Sequence, residues 1–217
     1  MPGRVHVTGN TAIDALLEVV EALPPAPPRN RTLPAILVTC HRRESWGAGV
    51  AGVAAAVRRI ALDGLARIDV IAPPNAHVAA TLEQLLGDCP GVTVLDPCSH
   101  RELVGRMRGC DLILSDSGGM QEEAPALGVP LLILRDKTER PEGIATGNMI
   151  LVGTRTETII AEVRHLLSDP AAYAAMARPA FPYGDGKAAP RIAAIVEHWL
   201  AERPAPLIRG WEPAIRS

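Results

Sequence analysis

Aromatic residues are scarce in this sequence: three Trp, two Tyr and one Phe make up 3% of its 217 residues. An excess of one charge is also missing, because 22 Lys and Arg residues stand against 24 Asp and Glu residues. Nucleic-acid-binding proteins usually combine a basic surface with aromatic side chains that stack on bases, so we expect no nucleic-acid partner. No apolar run approaches the roughly 20 residues of a membrane-spanning helix, so we expect no membrane partner either.

Cysteine and histidine patterns that would indicate a metal or redox site are missing too. The cysteines have neither zinc-ligand nor redox-pair spacing, and free cysteines commonly fill small apolar sites. The histidines outside residue 41 show no metal-ligand spacing and are expected on the surface or packed. The first residues lack the apolar segment of a signal peptide. We therefore expect a cytoplasmic protein whose cysteines are reduced thiols, namely Cys40, Cys89, Cys98 and Cys110.

Short apolar runs alternate with helical patterns from residue 36 onward. The runs predict strands at 36–39, 68–71, 92–95, 112–115, 131–134 and 149–152. Apolar residues at helical spacing predict helices at 10–23, 50–62, 76–86, 101–107, 157–167, 171–177 and 188–201, with one more directly after the fourth strand. This alternation predicts an α/β fold: a Rossmann-like parallel sheet with helices on both faces.

The most informative segment is Asp116-Ser117-Gly118-Gly119-Met120-Gln121-Glu122-Glu123, between the fourth strand and the next helix. This layout points free backbone N–H groups at an anion, and the two glycines let a phosphate approach closely. Glu123 follows Gly119 by four residues on the same helix face, where it can meet a ribose diol. The segment indicates a nucleoside-diphosphate site. A small-residue turn that only packs the helix on its strand is the alternative.

Two further polar clusters follow predicted strands. Cys40-His41-Arg42-Arg43-Glu44-Ser45 follows the first strand, and Leu134-Arg135-Asp136-Lys137-Thr138-Glu139-Arg140-Pro141-Glu142 follows the fifth. Arg and His can neutralise phosphate, although each cluster alone also fits a solvated turn. Ligands bind beyond the carboxyl ends of parallel strands, so three clusters at this edge favour one shared site. Tyr183-Gly184-Asp185-Gly186-Lys187 can cover that site or simply begin the last helix.

In this order and spacing, the segments resemble the C-terminal half of the non-hydrolysing UDP-N-acetylglucosamine 2-epimerases, over about residues 5–200. The resemblance implies the C-terminal domain of a GT-B-like fold, in which two Rossmann-like domains enclose the active site. It implies an isomerase of polysaccharide biosynthesis that interconverts UDP-GlcNAc and UDP-ManNAc by eliminating UDP and adding it back. It also implies that neither nicotinamide nor metal is required. The matching segments are 7–16, 37–44, 115–125, 134–142 and 183–188.

The resemblance also implies roles for single residues. His41 is the expected catalytic residue and faces the reacting end of the substrate near the diphosphate. Glu123 is expected to bind the ribose hydroxyls, and Arg140 to pair with phosphate. The expected substrate-binding residues are Arg42, Ser117, Gly118, Gly119, Glu123, Arg135, Glu139 and Arg140.

The chain departs from the family pattern in two places that bear on the site. The family's N-terminal domain, with the carboxylates proposed to move the proton at C2, has no counterpart in the sequence. We therefore expect a chain that supplies the UDP-binding half and is inactive without an N-terminal half, which a separate chain could provide. Where the family places an aromatic near the uracil, the sequence offers His100 and Leu103, so stacking on the base is expected to be weaker.

Three regions are predicted: an N-terminal helix and Pro-rich linker over 1–31, a UDP-binding Rossmann-like domain over 32–202, and a loosely ordered tail over 203–217. An exposed cleft face favours association, so a homo-oligomer is expected. Two alternative functions remain open at this point. One is a non-catalytic UDP-binding module or degenerate fragment, and the other is the donor-binding domain of a GT-B glycosyltransferase. The segments 138–141 and 183–186 favour the epimerases over the transferases.

Overall fold

The computed structural model of the protein describes residues 5–26, 32–40 and 47–202. Six parallel strands form one sheet in the order β3-β2-β1-β4-β5-β6. The strand order reverses between β1 and β4, and in such sheets the carboxyl ends of the strands at this position border a ligand crevice. The predicted Rossmann-like α/β fold is confirmed. The strands are β1 (Ala35–Thr39), β2 (Arg67–Ile71), β3 (Val92–Leu95), β4 (Leu112–Ser115), β5 (Leu131–Ile133) and β6 (Met149–Leu151).

The helices fill the connections between these strands and both ends of the described chain. They are α1 (Thr11–Glu21), α2 (Ala48–Leu62), α3 (Ala76–Leu86), α4 (His100–Gly109), α5 (Gly118–Leu127), α6 (Pro141–Ala145), α7 (Thr156–Ser168), α8 (Pro170–Met176) and α9 (Ala188–Glu202). Every predicted helix is present, and α6 is an addition. Because α6 has only five residues and begins at Pro141, it is too short to show helical periodicity in the sequence.

The sheet is buried on both faces, which explains why its strands are continuous apolar runs. All five residues of β1 are buried. Ile36 and Val38 point into a core with α2, α3 and α7, whereas Ala35 and Leu37 point into a second core with α4 and α5. Successive strand residues face opposite sides of a sheet, so the central strands contribute to both cores.

The first helix packs on α5, and the last helix packs on the first. Ile13 and Leu16 of α1 are buried in a third apolar cluster with Val104 of α4 and Ala126 of α5. The Asp14 carboxylate accepts hydrogen bonds from the first two backbone N–H groups of α9, at 3.1 and 2.6 Å. The predicted division at residues 31 and 202 stays a prediction, and its tail lies outside the described residues. In the part of the chain that the structure describes, no helix is both long and apolar enough to cross a membrane.

Candidate functional site

The turn between β4 and α5 lies at the carboxyl edge of the sheet, where the strand order reverses. Ser115 ends β4 opposite Thr39 of β1, and their hydroxyl oxygens lie 2.6 Å apart. Ser115 Oγ also accepts a hydrogen bond from the backbone N–H of Ser117 at 3.0 Å. Ser117 is the N-cap residue of α5, yet its side chain makes no capping bond among the described residues. The Ser117 hydroxyl and the first backbone N–H groups of α5 can therefore serve a ligand.

The guanidinium group of Arg140 lies over this helix start. A Cβ atom added to Gly118 would come within 3.0 Å of Cζ and both terminal nitrogens of Arg140. The neighbouring Gly119 is exposed, and among the described residues a Cβ there would meet only Ser117 Oγ, at 3.9 Å. A cation at the positive end of a helix is unfavourable by itself, so an anion between the two would be stabilised by both.

A carboxylate holds Arg140 in this position. Arg140 Nε donates to Glu122 Oε1 at 2.6 Å, and the two side chains are 27% and 17% exposed. Glu122 Oε2 accepts a second hydrogen bond from Asn10 Nδ2 at 2.7 Å. Glu122 thus connects the segment before α1 to the arginine at the helix start. Both Glu122 and Asn10 were missed in the sequence, although Glu122 stands beside Glu123 in the predicted motif.

The loop after β5 is ordered by its own side chains. Arg135 donates two hydrogen bonds to the Glu139 carboxylate, both at 2.9 Å, and Glu139 lies 3.7 Å from Arg140. Thr138 Oγ1 donates to the side chain of Gln121 and accepts from the Arg140 backbone N–H at 3.1 Å. The structure therefore brings the predicted residues Arg135, Glu139 and Arg140 together beside α5, rather than leaving this segment as a solvated loop.

The glycine-framed turn at Tyr183 both contacts this loop and leads into α9. Tyr183 donates its hydroxyl proton to the Arg140 carbonyl oxygen at 3.1 Å and accepts from the Gly143 N–H at 3.0 Å. Burial raises the pKa of Tyr183, so the phenol keeps the proton that it donates. The Tyr183 carbonyl also accepts from the Asn10 N–H at 2.8 Å. Gly184 makes this approach possible, because a Cβ there would lie 2.9 Å from Asn10 N.

Glu123 lies one turn into α5 and is only 8% exposed. Its Oε1 atom is 2.9 Å from Nε2 of His100, the first residue of α4. Burial raises the pKa of the Glu123 carboxyl, while the hydrogen bond from His100 opposes that rise. The sequence predicts that His100 lies near the uracil, but it does not predict the contact with Glu123.

The end of β1 leads to the same edge of the sheet. Cys40 Sγ donates to Asp116 Oδ2 at 3.5 Å, which joins the last described residue after β1 to the turn before Ser117. The predicted residues His41 and Arg42 lie outside the described residues. Their catalytic and substrate-binding roles therefore stay predictions.

We call the space between the start of α5 (Ser117, Gly118 and Gly119) and the Arg140 guanidinium the cradle. A parallel sheet in this order, with the cradle at the point of reversal, defines the class of Rossmann-like α/β domains. The family model of UDP-N-acetylglucosamine 2-epimerase matches residues 1–197 of the sequence. The chain therefore belongs to the UDP-N-acetylglucosamine 2-epimerase family, and the resemblance to its C-terminal half is confirmed.

Individual relatives agree with this assignment. The UDP-N-acetylglucosamine 2-epimerase of Escherichia coli K12 is 42% identical over 202 residues, which cover 87% of this chain and 54% of that protein. The structure of UDP-GlcNAc 2-epimerase from Neisseria meningitidis bound to UDP-GlcNAc matches with a TM-score of 0.81 at 35% identity, covering 88% of this chain and 54% of that one. A complex of S. aureus MnaA with UDP matches with a TM-score of 0.81 at 32% identity, covering 91% and 56%. The chain spans about half the length of these relatives.

Proposed function

We propose that this chain supplies the UDP-binding half of a UDP-N-acetylglucosamine 2-epimerase. The enzyme would interconvert UDP-GlcNAc and UDP-ManNAc by eliminating UDP and adding it back, so that C2 ends with the opposite configuration. The observation that carries the proposal is the Arg140 guanidinium, held over Gly118 at the start of α5. Family membership and relatives whose structures contain UDP or UDP-GlcNAc support the same ligand. Family membership also favours this function over the glycosyltransferase alternative.

In this proposal the diphosphate binds between α5 and Arg140. The Ser117 hydroxyl and the N–H groups of Gly118 and Gly119 donate to it from one side, and Arg140 pairs with it from the other. Arg135 and Glu139 hold the loop that carries Arg140. UDP gains charge as it leaves, so donors that bind it more tightly at that stage lower the barrier. By analogy with oxyanion-hole deletions, each lost donor costs on the order of 2.7–4 kcal/mol of transition-state stabilisation.

Glu123 is proposed to accept the ribose hydroxyls. It lies one helical turn beyond Gly119, on the face that a nucleoside attached to the diphosphate would follow. Its carboxylate offers two oxygens to two neighbouring hydroxyls, which suits a ribose diol. The Glu122 carboxylate suits this purpose less, because both of its oxygens already accept hydrogen bonds, from Arg140 and Asn10, whereas only Oε1 of Glu123 does so among the described residues.

The base that moves the proton at C2 is proposed to lie outside the cradle. Proton transfer at C2 requires a base within hydrogen-bond reach. At the cradle, Glu122 accepts from Arg140 and Asn10 and Glu123 from His100, so each has a binding role in this proposal. We therefore expect the base from an N-terminal half, with His41 facing the reacting end, and no turnover by this chain alone. A homo-oligomer remains the expected assembly.

The test is calorimetric titration of the 217-residue chain with UDP. We expect a Kd on the order of micromolar. Ser117→Trp should abolish binding by filling the cradle, whereas Ser168→Trp, at the exposed end of α7, should leave it unchanged. No detectable UDP binding by the unmodified chain would refute the proposal. Measurable conversion of UDP-GlcNAc by the chain alone would refute the proposal that the base comes from an N-terminal half.

A further inference from the structure

His100 touches the carboxylate that the proposed function assigns to the ribose. Its Nε2 atom lies 2.9 Å from Glu123 Oε1, across the interface between α4 and α5. We propose that His100 is a positioning residue that orients Glu123, and that it thereby sets the preference of the site for nucleotides with an intact ribose diol. This inference rests on the proposed function and adds a residue that determines specificity within it.

The geometry leaves Glu123 able to bind a diol while His100 holds it. The Glu123 side chain is 11% exposed, and its Oε2 atom makes no hydrogen bond with the described residues. Each carboxylate oxygen can accept two hydrogen bonds, so Oε1 can bind both His100 and a hydroxyl group. The imidazole N–H fixes the rotation of the carboxylate and so aims both oxygens together.

The backbone of His100 is fixed by the start of α4. Ser99 and Glu102 form a reciprocal cap: the Ser99 N–H donates to Glu102 Oε2 at 2.9 Å, and Ser99 Oγ accepts from the Glu102 N–H at 3.3 Å. Two turns further along, the fully buried Met107 secures α4 in the core that α5 shares. Although the His100 side chain is 43% exposed, its ring therefore projects from a rigid position.

Loss of His100 would act on the charge of Glu123 as well as on its orientation. Burial disfavours the ionised carboxylate, and the hydrogen bond from His100 favours it. Without that bond, the carboxyl group is free to rotate and more readily protonated, and a protonated carboxyl group accepts two hydroxyl groups poorly. The Arg140 side of the cradle is held by Glu122 instead, so diphosphate binding should not change.

The experiment compares UDP, 2′-deoxy-UDP and pyrophosphate by calorimetry on the whole chain and on two variants. The unmodified chain should prefer UDP over 2′-deoxy-UDP. His100→Ala should reduce that preference roughly tenfold, the usual effect of losing one hydrogen bond to a charged group, and leave pyrophosphate affinity unchanged. His100→Gln, whose amide can donate from a similar position, should restore most of the preference. Equal melting temperatures of the two variants would show that both are folded.

Three outcomes would overturn the inference and leave the proposed function standing. An unchanged preference in His100→Ala would show that Glu123 is oriented without the histidine. An equal loss of UDP and pyrophosphate affinity would show that His100 acts on the cradle as a whole, and failure of the glutamine variant to restore the preference would argue against a donor role. If the unmodified chain binds no UDP at all, the proposed function fails together with this inference. The other three outcomes are seen in the variants, while the unmodified chain still binds UDP.

Discussion

The contact between Arg140 and Gly118 can be tested by adding one carbon atom. Gly118→Ala places a Cβ 3.0 Å from the Arg140 guanidinium, closer than carbon contacts usually come, so the guanidinium must move by a few tenths of an ångström. Gly118 is not among the residues with positive φ, so alanine fits its backbone. The substitution therefore perturbs the arginine while keeping the helix.

The expected size of the effect follows from the charge-assisted contacts of Arg140. A hydrogen bond to a charged group contributes about 1.5–3 kcal/mol, so losing the arginine in Arg140→Ala should cost about 2 kcal/mol, roughly a 30-fold rise in the Kd for UDP. A displaced guanidinium keeps part of this interaction. We expect Gly118→Ala to cost about 1 kcal/mol, roughly fivefold in Kd.

A double-mutant cycle separates displacement of Arg140 from direct contact with the ligand. If the added methyl group acts through the arginine, Gly118→Ala should cost nothing further in the Arg140→Ala background. The assay is calorimetric titration with UDP of the unmodified chain, both single variants and the double variant. Gly105→Ala is the matched control, because a Cβ at this α4 glycine meets no atom of the described chain within 4 Å, so UDP affinity should not change.

Two results would refute this reasoning. An equal loss of affinity from Gly118→Ala with and without Arg140 would show that the methyl group meets the phosphate itself. Unchanged affinity in Arg140→Ala would remove the arginine from the diphosphate site and, with it, the observation that carries the proposed function.

Three further predictions concern carboxylates around the site. Glu122→Ala should weaken UDP roughly tenfold through Arg140 but leave uridine affinity unchanged; equal losses would contradict this role. Because burial raises the pKa of Glu123 and the ribose needs the ionised form, UDP affinity relative to Glu123→Gln should fall on acidification, beginning above the usual carboxyl range; parallel pH profiles would contradict it. Arg191 lowers the pKa of Asp185 from 3.8 to about 2, so the stability that Asp185 contributes is complete above 3.8 and lost as pH falls through about 2. The melting-temperature difference from Asp185→Asn should shrink over that range, and a constant difference would contradict it.

The parts of the fold that could be predicted are those that leave a local signal. The strands could be predicted because burial on both faces makes them continuous apolar runs. The approach of the clusters after β4 and β5 followed from parallel strands sharing one carboxyl edge, whereas the cluster after β1 lies outside the described residues beyond Cys40. α6 left no such signal, because a five-residue helix cannot establish a period. The capping box of Ser99 and Glu102 was not predicted, although the two residues have the spacing that is typical of one.

The contacts that were missed join residues far apart in sequence. Asn10 and Glu122 are separated by 112 positions, and His100 and Glu123 by 23. Neither pair shows a pattern along the chain, because each depends on how α1 or α4 packs against α5. The motif contains the residues that are proposed to face the ligand. Asn10 and His100, which hold Glu122 and Glu123, lie at the starts of α1 and α4, and these contacts depend on the packing of the helices.

The support behind Arg140 also bears on how two halves of an enzyme would communicate. The backbones of Asn10 and Tyr183 are hydrogen-bonded to each other. Tyr183 also donates to the Arg140 carbonyl, and Asn10 donates to Glu122, which in turn accepts from Arg140. Asn10 directly follows the segment that leads into α1, so a rotation of that segment would change the position of Glu122 and therefore of Arg140. In the proposed epimerase, the Glu122 carboxylate would make the binding of the leaving UDP depend on the position of the residues that precede α1.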